Sequence, residues 1–349
     1  MIPNISLFVF FLISFSRAQD DDFASQCEPK CIFRAPKLNS TNIGQFPKCS
    51  KVCSMILIDD TSKLTETQLN KAFKSMKTLV GRLTVEGTKL TNLKCLAGLQ
   101  KFESKTSGIF IGANPELLEL GWTSLTSIDA EKFSVTANMK MTRLKMPKLK
   151  NLVTRLNILQ SLLVVDNTDP KFCITLSEAA HLLNAKKNKN LIVQGKICKP
   201  GNPSKKLCFS PKAGCEQLVG NLNIGAKFDV KKVRSLKRLY GSLIVKNSNL
   251  TNFKFLANLT QIIQLDDQKL AIDVQNNPKL TSAAFPKLTQ IYSQSMNVAV
   301  FKNNHKSLLS DFKSCYALRM ATLGDLVSYP YLPTFDGLNC EDMEAKAGK

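Results

Sequence analysis

The segment Leu79-Val80-Gly81-Arg82-Leu83-Thr84-Val85 recurs in the second half of the chain as Leu239-Tyr240-Gly241-Ser242-Leu243-Ile244-Val245. The two copies lie 160 residues apart, and the same offset relates further matches downstream of each copy. These matches are Leu90-Thr91-Asn92 with Leu250-Thr251-Asn252, and Leu96-Ala97 with Leu256-Ala257. A constant offset over this length indicates a duplicated chain, whereas an ordinary βα sandwich would match only by chance.

A shorter repeat of about 21 to 29 residues lies inside each half, with an alternating strand followed by a turn Asn. The repeats begin at Leu83, Ile109, Phe133 and Leu162, and then at Leu222, Leu243, Ile272 and Val298. One repeat cannot bury its own apolar face, so repeats must stack. Stacking predicts a ladder of turn side chains at Asn114, Asn138, Asn167, Asn277 and Asn303. The fold class expected is an α/β-type right-handed β-helix, a leucine-rich-repeat-like solenoid.

The open ends of such a stack need helical caps. Thr65-Glu66-Thr67-Gln68 and Thr175-Leu176-Ser177-Glu178 have the capping-box pattern that begins a helix. Asp229 is expected to begin the counterpart of the first helix in the second half.

The amino-terminal residues have the layout of a secretory signal peptide. An apolar run over residues 5–15 precedes Ser16-Arg17-Ala18, with small residues positioned for cleavage after Ala18. A short membrane anchor is the alternative, but spanning a bilayer takes roughly 20 residues. No later stretch is long and apolar enough to span. We therefore expect a secreted, extracellular protein.

Eleven cysteines in an exported chain predict disulfides. The expected pairs are Cys173–Cys198 and Cys315–Cys340, each 25 residues apart, together with Cys208–Cys215. Cys27 and Cys31 are expected to pair with Cys49 and Cys53. Equal separations weakly favour Cys27–Cys49 with Cys31–Cys53, and a zinc site is the alternative. Cys95 aligns with Phe255 and is expected to be a buried free thiol.

The formal net charge of +21 constrains the partners. In an exported protein it favours acidic partners such as sulfated glycans over nucleic acid. The alternative is that Lys-rich loops only keep a solenoid soluble. Outside the expected signal peptide, three sequons predict N-glycosylation at Asn39, Asn249 and Asn258.

Nothing in the sequence predicts an enzyme, a metal or a cofactor. The only histidines, His181 and His305, lack a neighbouring nucleophile, and Asp59-Asp60 and Asp266-Asp267 are typical of solvated turns. Nucleophile-elbow, zinc-protease and phosphate-loop motifs are absent.

The glycine motifs, Phe285-Pro286-Lys287-Leu288 and Cys49-Ser50-Lys51-Val52-Cys53 together resemble the receptor L-domain family of insulin and epidermal growth factor receptors. The organisation is similar to secreted double-L-domain proteins of nematodes. Met76 and Leu236 stand where the receptors carry a Cys, which leaves the partner of Cys53 in doubt. The connector is also much shorter than the receptors' cysteine-rich region.

The resemblance implies two tandem L domains with helical caps. The expected segments are a signal peptide (1–18), a Cys-containing extension (19–48), L domain 1 (49–198), a Cys-containing connector (199–214), L domain 2 (215–340) and a polar tail (341–349).

Strand alternation predicts which side chains face outward, and in the receptors the corresponding sheet face contributes to hormone binding. The candidate ligand face comprises Thr84, Glu86, Phe110, Ser134, Thr136, Leu163, Val165, Ile244, Lys246 and Phe301. The alternative is that cap helices or the other domain cover these residues.

The function expected is a soluble binding protein. The resemblance implies that it binds or modulates an insulin-like or epidermal-growth-factor-like peptide, or a receptor ectodomain. The alternative is a basic extracellular matrix or glycan-binding protein without a peptide ligand.

Overall fold

The computed structural model describes residues 25–154, 163–166, 168–183, 191–199, 206–266, 268–293, 298–323 and 333–348. Side chains at 163, 164, 191 and 192 also lie outside the description. The chain divides into two compact units. Unit 1 is Met1–Leu182 with Lys187–Ile192, and unit 2 is Leu183–Lys186 with Val193–Lys349.

Short parallel strands make up most of the regular structure. The strands up to residue 193 are β1 Ile32–Phe33, β2 Lys51–Ile58, β3 Thr78–Glu86, β4 Lys101–Glu103, β5 Gly108–Gly112, β6 Ser127–Ala130, β7 Lys132–Thr136, β8 Asn151–Thr154, β9 Leu163–Val165, β10 Cys173–Ile174 and β11 Leu191–Val193. Those that follow are β12 Lys196–Ile197, β13 Leu207–Cys208, β14 Gln217–Val219, β15 Leu222–Ile224, β16 Arg238–Tyr240, β17 Leu243–Lys246, β18 Gln261–Gln264, β19 Ile272–Gln275, β20 Gln290–Ser293, β21 Ala299–Lys302 and β22 Thr334–Phe335.

The described part of the chain also contains four α-helices, namely α1 Glu66–Phe73, α2 Leu176–Leu182, α3 Phe312–Leu323 and α4 Cys340–Ala347. Short 3-10 helices lie at Pro29–Cys31, Ile43–Gln45, Asp60–Ser62, Lys94–Leu96, Val230–Val233, Lys254–Leu256 and Lys306–Ser310. None of the described helices has the length and hydropathy needed to cross a membrane.

Successive strands alternate between two sheets in unit 2. One sheet has the order β13-β14-β16-β18-β20 and the other the order β15-β17-β19-β21-β22. In unit 1 the equivalent strands join into one sheet that includes the order β9-β7-β5-β3-β4-β6-β8. They join because the long strand β3 pairs with β4 through Thr78–Val80 and with β5 through Leu83–Glu86.

The two motif glycines lie at equivalent points of the two units. Gly81 lies in β3 between the part that pairs with β4 and the part that pairs with β5, and Gly241 lies between β16 and β17. Gly81 has φ +126°, and a Cβ there would lie 2.3 Å from the Ser54 carbonyl oxygen of β2. Gly241 has φ +150°, and its Cβ would lie 2.6 Å from the Gly220 carbonyl oxygen. Both the backbone angle and the close approach of the neighbouring strand require glycine.

The turn asparagines form a buried ladder, as the repeat spacing predicted for unit 1. Asn114 accepts hydrogen bonds from the backbone N–H and the hydroxyl of Thr88, at 2.9 and 2.7 Å. Asn138 accepts from the Asn114 backbone N–H at 3.1 Å and donates to the Ile111 carbonyl at 2.9 Å. Each Asn therefore satisfies backbone groups of the preceding repeat.

Unit 2 repeats this ladder with Ser248, Asn277 and Asn304. Ser248 donates to Asn277 through its backbone N–H and hydroxyl, and Asn277 donates its backbone N–H to Asn304. The prediction of Asn303 at this position was wrong by one residue, and Asn167 lies outside the described residues.

The left-handed conformation falls on the residue before each ladder Asn. Ala113 and Ala137 have φ of 53° and 54°, and Asn276 and Asn303 have φ of 58° and 53°. The sequence prediction placed this conformation on the ladder Asn itself. In unit 1 it is instead the alanine before each ladder Asn that adopts it. The turn keeps this geometry because the ladder hydrogen bonds fix the next residue.

The register of two strands differs from the sequence prediction. Val165 pairs with Val135, and Phe301 pairs with Val274. Val165 and Phe301 are therefore core residues, with 0% and 1% exposure, and neither belongs to the predicted outward face. Phe301 stacks on Phe335 with ring centroids 4.4 Å apart.

The cause of this error is the local sequence. Residues 162–165 and 298–301 are apolar at every position, so period-two alternation gives no register there. A one-residue offset moves every side chain to the opposite face. The side chain of Leu163 lies outside the described residues, while its backbone pairs with Phe133.

Both capping boxes form. At the start of α1, the side chains of Thr65 and Gln68 each accept the backbone N–H of the other residue. Thr175 and Glu178 do the same at the start of α2. Asp229 instead begins the 3-10 helix Val230–Val233, so the prediction of an α-helix there was wrong. A longer α-helix is disfavoured here because Val230 and Val233 are β-branched, and because no Glu or Gln stands at the third helical position to complete a capping box.

Ten cysteines are disulfide-bonded and Cys95 is free. Cys27 pairs with Cys53 and Cys31 with Cys49, opposite to the pairing that equal separations weakly favoured. Strand β1 pairs with β2 with Ile32 opposite Cys53, which brings the segment that carries Cys27 and Cys31 beside the segment that carries Cys49 and Cys53. Cys208–Cys215 and Cys315–Cys340 are as predicted. Cys173 and Cys198 complete five pairs.

Replacing Asn138 with Ala removes the acceptor of the Asn114 N–H and the donor to Ile111. We expect the free energy of unfolding to fall by about 1–3 kcal/mol, because buried backbone groups lose their partners. The matched change Ala137→Gly relieves the left-handed alanine and should raise it by about 0.5–1 kcal/mol. Chemical denaturation measures both, and a neutral Asn138→Ala would contradict the ladder's stabilising role.

Replacing Phe301 with Ala should destabilise the fold by about 3–5 kcal/mol, since it empties a packed aromatic site. The neighbouring Val300→Ala is the control, and an outward position should change stability by less than about 1 kcal/mol. A larger loss for Val300→Ala than for Phe301→Ala would contradict the register.

The Cys95 thiol should be nearly unreactive in the folded protein, although the residue is only half-buried. Burial, and secondarily the Glu66 carboxylate, raise the pKa of Cys95 to about 12 from 9.0. Roughly a thousandth of the usual thiolate then remains at pH 8, and the thiolate is the reactive species. Iodoacetamide labelling should become fast only in denaturant, whereas fast native labelling would contradict the expectation.

Candidate ligand-binding face

In-register pairing places outward side chains in rows across each unit. In unit 1, Leu57 of β2, Thr84 of β3, Phe110 of β5 and Ser134 of β7 lie opposite one another. Their strand neighbours Leu83, Ile109 and Phe133 are buried in the core. The row therefore has one aliphatic, one aromatic and two hydroxyl side chains at outward strand positions.

Phe110 is held in place by the strand that carries it. A Cβ on Gly112 would lie 2.4 Å from the ring Cζ of Phe110, so the ring covers the glycine backbone. Any larger residue at 112 would displace the ring. Phe110 remains partly exposed, as the sequence predicted for an outward aromatic.

The residues around Phe110 differ in exposure. Thr84 is partly exposed and Glu86 is exposed, whereas Ser134 is only 2% exposed. The prediction that Ser134 is accessible was therefore wrong, although its strand position is outward beside Phe110. Thr136 is partly exposed, and its hydroxyl hydrogen-bonds the Asp166 carboxylate. Strand alternation predicts which face of the sheet a side chain points to. It does not predict whether neighbouring residues cover a small side chain on that face.

Unit 2 carries a row in the equivalent place. Asn223, Ile244, Asp273, Val300 and Thr334 lie opposite one another on β15, β17, β19, β21 and β22. Ile244 and Val300 are partly exposed on either side of Asp273. Val300 was missed because the predicted register placed Phe301 outward instead.

The carboxylate of Asp273 is neutralised within this face. Lys246 Nζ lies 2.7 Å from Asp273 Oδ2, and Gln275 donates to Asp273 Oδ1 at 2.6 Å. Lys246 is exposed as predicted. The face of unit 2 therefore combines two aliphatic side chains with a preformed ion pair.

A polar pocket lies in unit 1 beside strands β4 and β6. It has a volume of about 280 Å³, and Lys101, Glu103, Ser127 and Asp129 are among the residues that line it. These side chains alternate with the buried Phe102 and Ile128 along β4 and β6. Cations and carboxylates alternate in this pocket, so it does not favour a ligand of one charge.

The carboxylates considered as catalytic candidates have structural roles. Asp59 accepts from the backbone N–H groups of Thr61 and Ser62 and pairs with Lys37 at 2.6 Å. The Lys37 ammonium is the main cause that lowers the pKa of Asp59. Asp266 pairs with Lys269, which likewise lowers its pKa, and Asp267 lies outside the described residues.

The described residues contain no cluster of His, Cys, Asp or Glu that could hold a metal ion. His305 caps the turn at Lys306–Ser310 by accepting from the Ser307 N–H.

The predicted glycosylation sites differ in accessibility. Asn249 and Asn258 are exposed, and Asn39 is partly exposed. The Asn39 side-chain oxygen accepts from the Thr41 N–H and hydroxyl at 2.9 and 2.7 Å. All three remain predictions as modification sites.

A family model described as Receptor L domain matches residues 48–142 and 214–319. Receptor L domains bind peptide ligands in receptor ectodomains. No curated protein matches the sequence significantly. The two matched regions cover more than half of the chain and include both glycine motifs, the unit 1 row, and all of the unit 2 row except Thr334. The chain therefore belongs to the receptor L domain family.

Proposed function

We propose that this chain is a secreted, non-enzymatic binding protein. It captures an insulin-like or epidermal-growth-factor-like peptide, or pairs with a receptor ectodomain in such signalling. Family membership and the paired cysteines support an extracellular binding role. The signal peptide expected over residues 1–18 lies outside the described residues.

The architecture proposed is two tandem right-handed solenoids with helical caps, spanning 49–198 and 215–340. Its support is the alternation of parallel strands between two sheets in unit 2 and the buried Asn ladders. We further propose that the nearest relatives are secreted double-L-domain proteins of the nematode type, and that Asn39, Asn249 and Asn258 carry glycans.

One observation carries the proposed binding face, namely the ring of Phe110 over Gly112. The ring is partly exposed, and it lies over a glycine backbone that leaves room for it. An aromatic side chain has few rotatable bonds and therefore loses little conformational entropy on binding. Aromatic side chains are also enriched among the residues that dominate interface energies. A row of side chains across adjacent strands suits an extended peptide or a helix face better than a small molecule.

Replacing Phe110 with Ala should weaken peptide capture at least about tenfold, because it removes the central apolar contact. Phe209→Ala is the matched control, since Phe209 is 48% exposed and is a member of neither row. Surface plasmon resonance with an insulin-like and an epidermal-growth-factor-like peptide as probes measures both variants. The melting temperature checks that each variant is folded.

The proposal has two ways to fail. Equal losses for Phe110→Ala and Phe209→Ala would show that the row is not the binding face. A wild-type protein that binds neither peptide at micromolar concentration would contradict peptide capture itself.

A further inference from the structure

Unit 2 presents a dense basic surface at the 3-10 helix Val230–Val233. Between residues 227 and 238 six cations are exposed, against a single acid, Asp229. The basic surface consists of Lys227, Lys231, Lys232, Arg234, Lys237 and Arg238, together with the exposed Lys254. Lys254 belongs to the 3-10 helix Lys254–Leu256, which packs against Val230–Val233.

Most of these cations have no anionic partner. Among the described residues, no carboxylate lies within 4.0 Å of Lys227, Lys231, Lys232 or Arg234. Asp229 is used locally, because its side chain accepts the Lys231 backbone N–H at 3.0 Å. The surface therefore has a local excess of positive charge that the fold does not neutralise.

Lys237 is the exception among these cations, and its ion pair shows that two lysines can hold an anion between them here. Glu216 lies 3.0 Å from Lys237 Nζ and 3.2 Å from Lys206 Nζ. These two ammonium groups lower the pKa of Glu216.

Unit 1 supplies an internal comparison, since residues 67–78 occupy the equivalent segment. That segment has the cations Lys71, Lys74 and Lys77, three instead of six. Unit 1 also has acids beside it. Glu66 accepts from the Thr91 hydroxyl, and Glu119 pairs with Lys94 at 3.0 Å.

Unit 2 lacks both acids. Ala226 stands in the place of Glu66 by the 160-residue offset. Glu119 lies five residues after the ladder residue Asn114, and Ser282 takes the same position after Asn277. The Asp311 carboxylate accepts there from the Ser282 hydroxyl and the Ala283 N–H, at 3.1 and 2.9 Å. Among the described residues, Lys254, the counterpart of Lys94, has no ion pair like that of Lys94 with Glu119. The two units share the fold, so the charge difference is not a requirement of folding.

We propose that this basic surface binds a sulfated polysaccharide, independently of peptide capture at the rows. Clustered lysines attract polyanions, and sulfated chains are the abundant polyanions outside the cell. Single-stranded nucleic acid would call for exposed aromatic side chains that stack on bases. Phe228, the one aromatic between 227 and 238, packs against the unit 2 core. No large exposed apolar side chain among those described lies in this segment to insert into a membrane.

The test uses a heparin-derived decasaccharide as the probe at 0.15 M salt. The triple variant Lys231→Gln, Lys232→Gln, Arg234→Gln should bind at least about tenfold more weakly, with a shallower dependence of log affinity on log salt. The charge-matched control Lys71→Gln, Lys74→Gln, Lys77→Gln removes the same number of cations from unit 1. This control should change the affinity for the decasaccharide less than about twofold. Binding releases counterions only where cations contact the polyanion, and the unit 1 lysines are not part of the proposed site.

Further variants separate a folding defect from a lost site. Lys231→Arg with Lys232→Arg keeps the charge and should retain binding, and Phe110→Ala should leave heparin affinity unchanged. Equal losses in the two triple variants would overturn the proposal, because net charge alone would then explain binding. Equal or tighter binding of an oligothymidylate of the same charge, or of phosphatidylserine vesicles, would also overturn it.

Discussion

The hydrogen bonds that join one turn to the next are the constraint on which the structure depends. Each ladder Asn accepts the backbone N–H of the preceding turn and donates to a strand carbonyl, so the turns are held in register. Register in turn fixes which side chains of each strand face inward, because successive side chains point to opposite faces. The outward rows at Phe110 and Ile244 therefore follow from contacts made at the turns, outside the rows themselves.

How far the sequence predicts this structure depends on how much each segment alternates. The glycine motifs, the ladder at Asn114, Asn138 and Asn277, and both capping boxes were predicted, since each rests on a local requirement. Residues 162–165 and 298–301 are apolar throughout, and their register depends on pairing with β7 and β19. That dependence is tertiary, so Val165, Phe301 and Asn303 were misplaced together.

The candidate face shows a second limit of the same kind. Alternation gave the correct direction for Thr84, Phe110 and Ile244, whereas the coverage of Ser134 depends on its neighbours in space. The contact of Phe110 with Gly112 could have been suspected, because an aromatic two residues from a glycine shares its strand face. The four amino-terminal cysteines are brought together because β1 adds to β2, and a two-residue strand leaves no periodic signal in the sequence.

Duplication also separates what the fold requires from what it leaves free. Both units keep the inward leucines and valines, the motif glycines and the ladder, because losing any of these exposes backbone groups or opens the core. Outward positions carry no such constraint, and they differ: Phe110 over a glycine in one unit, and Asp273 paired with Lys246 in the other. The acids that accompany lysines in unit 1 are likewise absent around Val230–Val233. Divergence at outward positions, on preserved glycine motifs and ladders, is the pattern expected if the two units bind different partners.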